Sequence, residues 1–383
     1  MAYTRRINSL GSGKSKLGVT SSVRNRRIWT GNTAWNDTII SYDNNNLYPN
    51  LLEFYVKTSS YAMTAVNAFR SFLYGRAFED INLNNQIFYK ELGLILSGKQ
   101  ILKHVIDDYS IHNTFALHCK YNPLGELVSI KPIPVRNCRL GRPVDNEIKK
   151  IWYFDNWEMI YGNLLMPEPV GLNVFNPDNV LSEFEEVGGW ANHRGQIYMY
   201  KSGLGRYDFP IWDSVTDQII TDIEIQVFRR RLTQNNFTAS AVLSLPYDAD
   251  EKERVSIASQ INNSQGSENA GNVTVLSGFN KDTMPSLIKF DASNQDKLYT
   301  IIDESVKTAI RRVLNIPPVL VGDLVAGKLG GTAEIKENEA LFEEGTLKYR
   351  EDIEEALYDV TSRFYIPYTN IKIKTKYGTV STD

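Results

Sequence analysis

The sequence predicts an α+β fold, and three features of the chain lead to that prediction. Residues 47–113 show the spacing of apolar side chains that is typical of helices, whereas residues 114–211 read as strands punctuated by Pro and Gly turns. Further along, two long helices are predicted at 212–236 and 294–314, with a short mixed segment between them. The chain has 383 residues, a length sufficient for one large or two ordinary domains. With 42% hydrophobic and 23% charged residues, its composition is that of a globular protein.

Charge and cysteine content argue against several classes of protein. The formal net charge is −3, whereas a protein that coats DNA through a basic surface needs a clear excess of Lys and Arg. Only two cysteines are present, Cys119 and Cys138, which argues against a disulfide framework and fits a reducing compartment. No apolar run has the length of a transmembrane helix, and the N-terminus lacks the apolar core of a secretory signal.

Residues 1–46 are rich in Ser, Gly, Asn and Thr and show no sustained period, so we predict an extended arm there. The arm is basic through Arg5, Arg6, Lys14, Lys16, Arg24, Arg26 and Arg27. Two interpretations stay open: a solvated tail, or an arm that packs on a neighbouring subunit, on a capsid or on DNA. The arm contains the run GSGKS, but Asn8 stands where a phosphate-binding loop needs its first Gly, and no buried strand precedes it.

Helices and then strands are predicted in the first half of the chain. Pro49 suits a first helical turn, Gly75 ends the apolar stripe that follows, and a second helix is predicted at 99–109. A hairpin is predicted from 115–119 and 127–130, with further strands at 151–154 and 197–200. The nearby metal-ligand residue types, which are His112, His118, Cys119 and Cys138, lack the spacing of a zinc site. We therefore expect no metal site among them.

The two long predicted helices carry basic residues near their C-terminal ends. These residues are Arg229, Arg230 and Arg231 in the first helix and Lys307, Arg311 and Arg312 in the second. Cations at this end of a helix complement its dipole, and such a run can also meet acidic partners or DNA. The sequence leaves both interpretations open. Between the helices, strands are predicted at 241–245, 273–276 and 287–290.

An unusual loop joins the second long helix to a third one. The second helix ends before Ile316-Pro317-Pro318, and a small, apolar loop with a single cation, Lys328, follows. Its glycines are Gly322, Gly327, Gly330 and Gly331. Thr332 suits the N-cap of the next helix, which is predicted to extend to about Phe364 with an acidic polar side. Gly345 predicts a kink or a break within that helix.

Three segments together resemble the portal, or head–tail connector, proteins of tailed bacteriophages. Segment 195–239 resembles the strand and first stem helix of that family, segment 269–290 resembles its clip, and segment 313–344 resembles the end of its second stem helix, its tunnel loop and the following helix. The specific part of the resemblance is the order helix, small domain, helix, apolar loop, helix. Only about twenty residues follow Phe364, and within them 371–377 alternate like an edge strand with outward lysines.

The resemblance implies an α+β portal fold. In that fold an α/β wing precedes two long stem helices that flank a small α/β clip, a kinked helix follows the tunnel loop, and the crown is reduced or absent. The implied boundaries are a basic extended N-terminal arm at 1–46, the wing at 47–211, the first stem helix at 212–237, the clip at 238–291, the second stem helix at 292–315, the tunnel loop at 316–333, the kinked wing helix at 334–365 and a short C-terminal segment at 366–383.

The resemblance also implies a function without catalysis. The family forms a ring, a dodecamer, at one capsid vertex, and double-stranded DNA passes through its channel non-specifically during packaging and ejection. A terminase motor, the major capsid protein and a head–tail adaptor are the implied partners. The implied location is the portal vertex of the virion, with the host cytoplasm as the site of assembly. No membrane, cofactor, metal or catalytic residue is expected.

Site residues follow from the same resemblance. The residues expected to line the DNA channel are Leu324, Val325, Lys328 and Leu329. The four loop glycines are expected to act as hinges. The six basic residues of the stem helices are candidate contacts for acidic partners or DNA. Two alternatives are kept: another oligomeric head–tail adaptor or capsid-associated structural protein, and a nucleotide-binding DNA enzyme that uses GSGKS.

Overall fold

The computed structural model describes residues 33–34, 38–42, 46–157, 168–234, 241–244, 250–252, 255–256, 273–276, 286–289, 295–323 and 332–376. The helices are α1 (Tyr48–Thr58), α2 (Ser60–Tyr74), α3 (Ile81–Asn85), α4 (Gly98–His112), α5 (Val180–Glu186), α6 (Thr216–Gln234), α7 (Gln295–Val313) and α8 (Thr332–Thr361). The strands are β1 (Thr33–Ala34), β2 (Ile39–Ile40), β3 (Ile87–Glu91), β4 (Leu94–Ser97), β5 (Thr114–Tyr121), β6 (Leu127–Ile133), β7 (Cys138–Leu140), β8 (Lys150–Tyr153), β9 (Val170–Val174), β10 (Gln196–Lys201), β11 (Ala241–Ser244), β12 (Val273–Leu276) and β13 (Ser286–Lys289). The α+β class predicted from the sequence is confirmed.

A six-stranded sheet forms the middle of the N-terminal half, in the order β6-β5-β10-β9-β8-β7. Its neighbouring strands are antiparallel except for β9 and β10, which are parallel. The predicted hairpin is the β5–β6 pair, in which Cys119 lies opposite Ile130. Strands β7 and β9 and helix α5 are short and were not predicted from the sequence, and the β3–β4 hairpin lies inside a region that was predicted to be helical.

Alternate residues of β5 face two different cores. Phe115 and Leu117 are buried in the main core with helical residues such as Leu52 and Phe69. Ala116 belongs instead to a second core, which includes Tyr42. The side-chain period of two in a strand therefore places helices on one face of the sheet and the chain around residue 40 on the other.

The predicted arm ends earlier than residue 46, because residues 38–42 are part of the folded body. Ile39, Ile40 and Tyr42 are each only 1% exposed. The Tyr42 hydroxyl donates to the Asp208 carbonyl at 2.8 Å, and the buried Arg139 guanidinium donates through Nε to the Asn46 side chain at 2.6 Å. Residues 38–42 show no sustained period in the sequence, but the burial of their apolar side chains in the tertiary structure holds them in place.

Helices α6 and α7 lie against each other and against the helices of the main core. Asp222 of α6 is 1% exposed and accepts a hydrogen bond from Ser59 Oγ at 2.5 Å. The same Ser59 Oγ accepts from the Ala62 backbone N–H at 3.1 Å, so it caps α2 as well. The segment between α6 and α7 contains a three-stranded sheet in the order β12-β11-β13.

Helix α8 extends over 30 residues and is continuous through Gly345. Of the predicted kink or break, the break is therefore wrong, and the kink stays a prediction. A glycine in a helix interior costs only about 1 kcal/mol relative to alanine. The packing of Phe342, Ile353 and Leu357, each at most 3% exposed, outweighs that cost.

The C-terminal segment 371–376 pairs with the backbone after α2. The Arg76 N–H donates to the Lys374 carbonyl at 2.9 Å, and the Lys374 N–H donates to the Ala77 carbonyl at 2.8 Å. Ile371 and Ile373 are each 4% exposed, and the lysines between and after them point outward, as predicted for alternating residues. Within the part of the chain described here, no helix combines the length and apolar character needed to cross a membrane.

This pairing predicts a large effect of substituting Gly75. Its φ is +53°, and an added Cβ would lie 2.1 Å from the Lys374 carbonyl oxygen. We expect Gly75→Ala to reduce the free energy of unfolding by about 3 kcal/mol, because backbone strain and the close contact with the Lys374 carbonyl both destabilise the folded state. Gly93 is the control: its φ is +79°, but a Cβ there would meet no atom within 4 Å.

Gly93→Ala should cost only about 1 kcal/mol, which is the backbone contribution alone. Denaturant unfolding of the two variants and the parent chain measures both values. Equal losses in the two variants would contradict the close pairing of Gly75 with the C-terminal segment.

Candidate functional site

The predicted channel-lining residues lie outside the described part of the structure. This holds for Leu324, Val325, Lys328 and Leu329 and for the hinge glycines Gly327, Gly330 and Gly331. Their roles stay predictions. Gly322 is described: it follows the 3-10 turn Pro318–Val321 with φ +81°, a left-handed conformation that glycine adopts without strain.

The chain reverses direction between the end of α7 and Asp323. Asn315 is in the left-handed region with φ 54°, and the Ile316 N–H donates to the Arg311 carbonyl at 3.1 Å. The turn Pro318–Val321 and Gly322 follow, and the Asp323 N–H donates to the Pro318 carbonyl at 3.0 Å. These backbone conformations turn the chain back, so that Asp323 lies beside the last turns of α7.

Asp323 contacts two of the predicted stem cations at once. Lys307 Nζ lies 2.7 Å from Asp323 Oδ1, and Arg311 Nη1 lies 2.6 Å from Asp323 Oδ2. The two cations are four residues apart on α7 and therefore lie on one face of the helix. The hydrogen bond from Lys307 to Asp323 raises the pKa of this amine above its usual value, which keeps the amine charged.

A second ion pair joins α6 to α7. Arg229 Nη2 lies 2.9 Å from Asp303 Oδ2, and the Tyr61 hydroxyl of α2 donates to the same oxygen at 3.2 Å. Burial, together with the charge and hydrogen bond of Asp303, raises the pKa of Tyr61 to about 12. Asp303 therefore fixes the spacing of three helices, in addition to neutralising a predicted DNA contact.

The remaining predicted stem cations differ from these three. Arg230 and Arg312 are exposed, and neither forms an ion pair with any residue that the structure describes. The Arg231 side chain is outside the described residues. Sequence reasoning identified the cations but missed their acidic partners, Asp303 and Asp323. The local sequence places Glu304 and Asp303 three and four residues before Lys307. Glu304 lies 3.9 Å from Lys307, but the closer contact, at 2.7 Å, is with Asp323.

Two acidic residues of α8 hold buried or half-buried groups and do not belong to a solvated face. Glu343 Oε1 lies 2.9 Å from Arg350 Nη2 and accepts from the Lys376 N–H at 2.6 Å. Glu354 accepts from the Ile373 N–H at 2.7 Å and from Lys372 Nζ at 2.8 Å. The exposed acids of the helix include Glu337, Glu344, Glu351 and Glu355. The acidic side of α8 is thus partly an attachment for the C-terminal segment.

A small apolar groove lies where the end of α7 meets α8. It has a volume of about 230 Å³, and Gly345 contributes to its wall together with Val313, Pro317, Leu341 and Tyr349. Within the described ranges, no three His, Cys, Asp or Glu side chains come together as a candidate metal site.

Comparison with known proteins finds similar solved structures. No protein-family model matches the chain, and no curated protein does. The solved structures include a chain from the neck of a native gene transfer agent (GTA) particle with C12 symmetry, at a TM-score of 0.51 and 11% identity, covering 88% of this chain and 84% of that one. A chain from the neck of an empty GTA particle with C6 symmetry matches at a TM-score of 0.50 and 13% identity, with 82% of each chain covered.

The crystal structure of an HK97 family phage portal protein from Corynebacterium diphtheriae is also similar, at a TM-score of 0.47 and 11% identity, with 80% of this chain and 89% of that chain covered. The two neck chains share the fold of this chain over more than four fifths of its length. The fold of this chain is thus shared with chains from the necks of GTA particles. At these low identities the likeness establishes the fold alone.

The attachment of α8 predicts a contrast between two arginines. Arg350 is 2% exposed and pairs with a carboxylate that is also buried, whereas the Arg229 side chain is 52% exposed. We expect Arg350→Gln to lower the free energy of unfolding by about 3 kcal/mol, because Glu343 would be left buried and uncompensated.

Arg229→Gln is the matched comparison and should cost less than about 1 kcal/mol, since solvent screens an exposed pair. Denaturant unfolding followed by circular dichroism measures both. A larger loss for Arg229→Gln than for Arg350→Gln would show that the α6–α7 pair is the dominant attachment.

Proposed function

We propose that this chain is a portal protein, which forms a ring at one capsid vertex and serves as the channel for packaging and ejection of double-stranded DNA. The observation that carries the proposal is the order of elements from β10 to α8. A long helix, a small sheet, a second long helix, a chain reversal and a third long helix follow one another. A chain from the neck of a native GTA particle matches over 88% of this chain, which supports the proposal.

Assembly into a ring agrees with the surface of the long helices. Ile301 of α7 is 67% exposed, and Leu341 and Leu347 of α8 are 61% and 40% exposed. Among the α7 side chains that the structure describes, residues 300–313, the buried ones are Val306 and Ile310, one helical turn apart. Exposed apolar side chains on long helices favour contact with a neighbouring subunit, and a cyclic ring joins two different faces of the same chain.

The charges of the helices agree with passage of DNA without tight binding. Phosphate contacts by Lys and Arg make binding strong and salt-dependent, and many such contacts would slow the movement of DNA. Arg229 is paired with Asp303, and Lys307 and Arg311 share the carboxylate of Asp323. In the proposed channel, the exposed Arg230 and Arg312, together with Lys328 of the loop, make weak and non-specific contacts.

The proposal includes the partners and the location that the portal role requires. A terminase motor supplies the energy for packaging, the major capsid protein surrounds the ring, and a head–tail adaptor binds the segment between α6 and α7. The chain assembles in the host cytoplasm and remains at the portal vertex of the virion. Leu324, Val325 and Leu329 line the narrowest part of the channel, and the loop glycines let its copies adjust to DNA.

Electron microscopy of the purified full chain tests the assembly directly. We expect closed rings with a central channel, because the exposed apolar residues of the long helices need neighbouring subunits. Mass measurement in solution should give a multiple of the 43.6 kDa chain that agrees with the ring symmetry. A monomer, or a ring without a channel, would instead favour an adaptor or another capsid-associated protein.

Shortening the loop tests the channel. A variant that lacks residues 325–329 should still form rings, but particles assembled with it should package or retain less DNA. Lys328→Gln in the full-length loop is the control, since it removes only the charge. DNA content per particle, measured by quantitative hybridisation, is the readout. Loss of ring assembly in the shortened variant would show that the loop is a structural element.

A further inference from the structure

One carboxylate, that of Asp323, occupies a position between two cations of α7. Lys307 Nζ and Arg311 Nη1 each reach a different oxygen of this carboxylate, at 2.7 and 2.6 Å. The three side chains remain 25%, 16% and 19% exposed, in the order Lys307, Arg311, Asp323. They are therefore held together at the surface, where another anion has access to the same two donors.

The same pair of donors suits a phosphate group. An ammonium and a guanidinium one helical turn apart can each donate to a separate oxygen of one phosphate, and the charge-assisted bonds are short. A cavity of about 360 Å³ adjoins the pair and is lined by Glu304, Thr308, Pro318 and Gly322 in addition to the three charged residues. The cavity provides room for a phosphate beside the carboxylate.

We propose that Lys307 and Arg311 form a binding site for the phosphate groups of the DNA backbone and that Asp323 masks this site by occupying it. The inference rests on the proposed function, in which this end of α7 faces passing DNA. Masking makes each phosphate contact a competition between DNA and a carboxylate that the chain itself supplies. The contact is consequently brief, which suits a conduit.

The local charges favour this role for Asp323. With Asp323 present, the group of Lys307, Arg311, Asp323 and Glu304 has no net charge, and Glu304 lies 3.9 Å from Lys307, where it opposes a second anion. Removal of the Asp323 charge leaves one positive charge in excess. Because Asp323 is tethered to α7 through the Pro318–Gly322 turn, its local concentration is high, and a weakly held phosphate displaces it only for a short time.

The test is duplex-DNA binding by the purified full chain and by Asp323→Asn. The isosteric amide removes the charge and keeps the shape of the side chain. We expect Asp323→Asn to bind a fluorescent duplex at least about fivefold more tightly, with a salt dependence steeper by roughly one unit of slope for each added phosphate contact. Fluorescence anisotropy at several salt concentrations gives both values.

Two variants control for other effects of charge. Glu344→Gln removes the same charge from an exposed position on α8 and should leave DNA binding unchanged. Adding Lys307→Gln and Arg311→Gln to Asp323→Asn should return both the affinity and the salt slope to those of the parent chain. Circular dichroism and mass measurement on the same samples show that the variants are folded and whether rings form.

The outcomes separate this inference from the proposed function. Rings that form while Asp323→Asn gains no affinity, or gains no more than Glu344→Gln, would overturn the masked site and leave the portal role in place. A parent chain that forms no rings contradicts the portal role, while a gain that depends on Lys307 and Arg311 still supports the masked site. If Asp323→Asn binds inorganic phosphate in calorimetry but gains nothing for the duplex, the site takes free anions, and the assignment to DNA is wrong.

Discussion

The buried guanidinium of Arg350 joins parts of the chain that are far apart in sequence. Its Nε donates to the Phe72 carbonyl near the end of α2 at 3.0 Å. Its Nη2 lies 2.9 Å from Oε1 of Glu343, which precedes it by two turns on α8. Glu343 also accepts from the Lys376 backbone at 2.6 Å. Because a buried charge is stable only when it is paired and hydrogen-bonded, these groups fix α8 against α2 and the C-terminal segment together.

Further polar contacts hold the other long helices in position near α8. Asp323 and Thr332 lie within the predicted tunnel loop and bound its residues 324–331. Asp323 is held by α7, and Thr332 begins α8. Asp303 in turn sets α7 against α6 and α2 through Arg229 and Tyr61. The helices that we assign to the proposed channel are therefore attached to the sheet-containing half by polar contacts as well as by apolar packing. Within α6 and α7, three of the cations are paired with Asp303 and Asp323, which leaves fewer positive charges for a polyanion to bind.

Much of the fold was predictable because it depends on local periodicity. The β5–β6 hairpin, the helices α6, α7 and α8 and the strands β11, β12 and β13 all lie close to their predicted positions. The failures have one cause in common, which is tertiary packing. The β3–β4 hairpin and residues 38–42 are short and weakly patterned, and Gly345 sits in a helix whose buried residues keep it continuous.

For the candidate site, the sequence by itself determined which residues are cations, where the glycines lie and in what order the long helices follow. These properties are local, so apolar spacing and composition reveal them. Only the tertiary structure decided which of the cations are neutralised. Arg311 and Asp323 are 12 residues apart, Arg229 and Asp303 are 74 apart, and Arg350 and Phe72 are 278 apart. Electrostatic partners at such separations are set by how the helices pack, and no pattern of neighbouring residues encodes them.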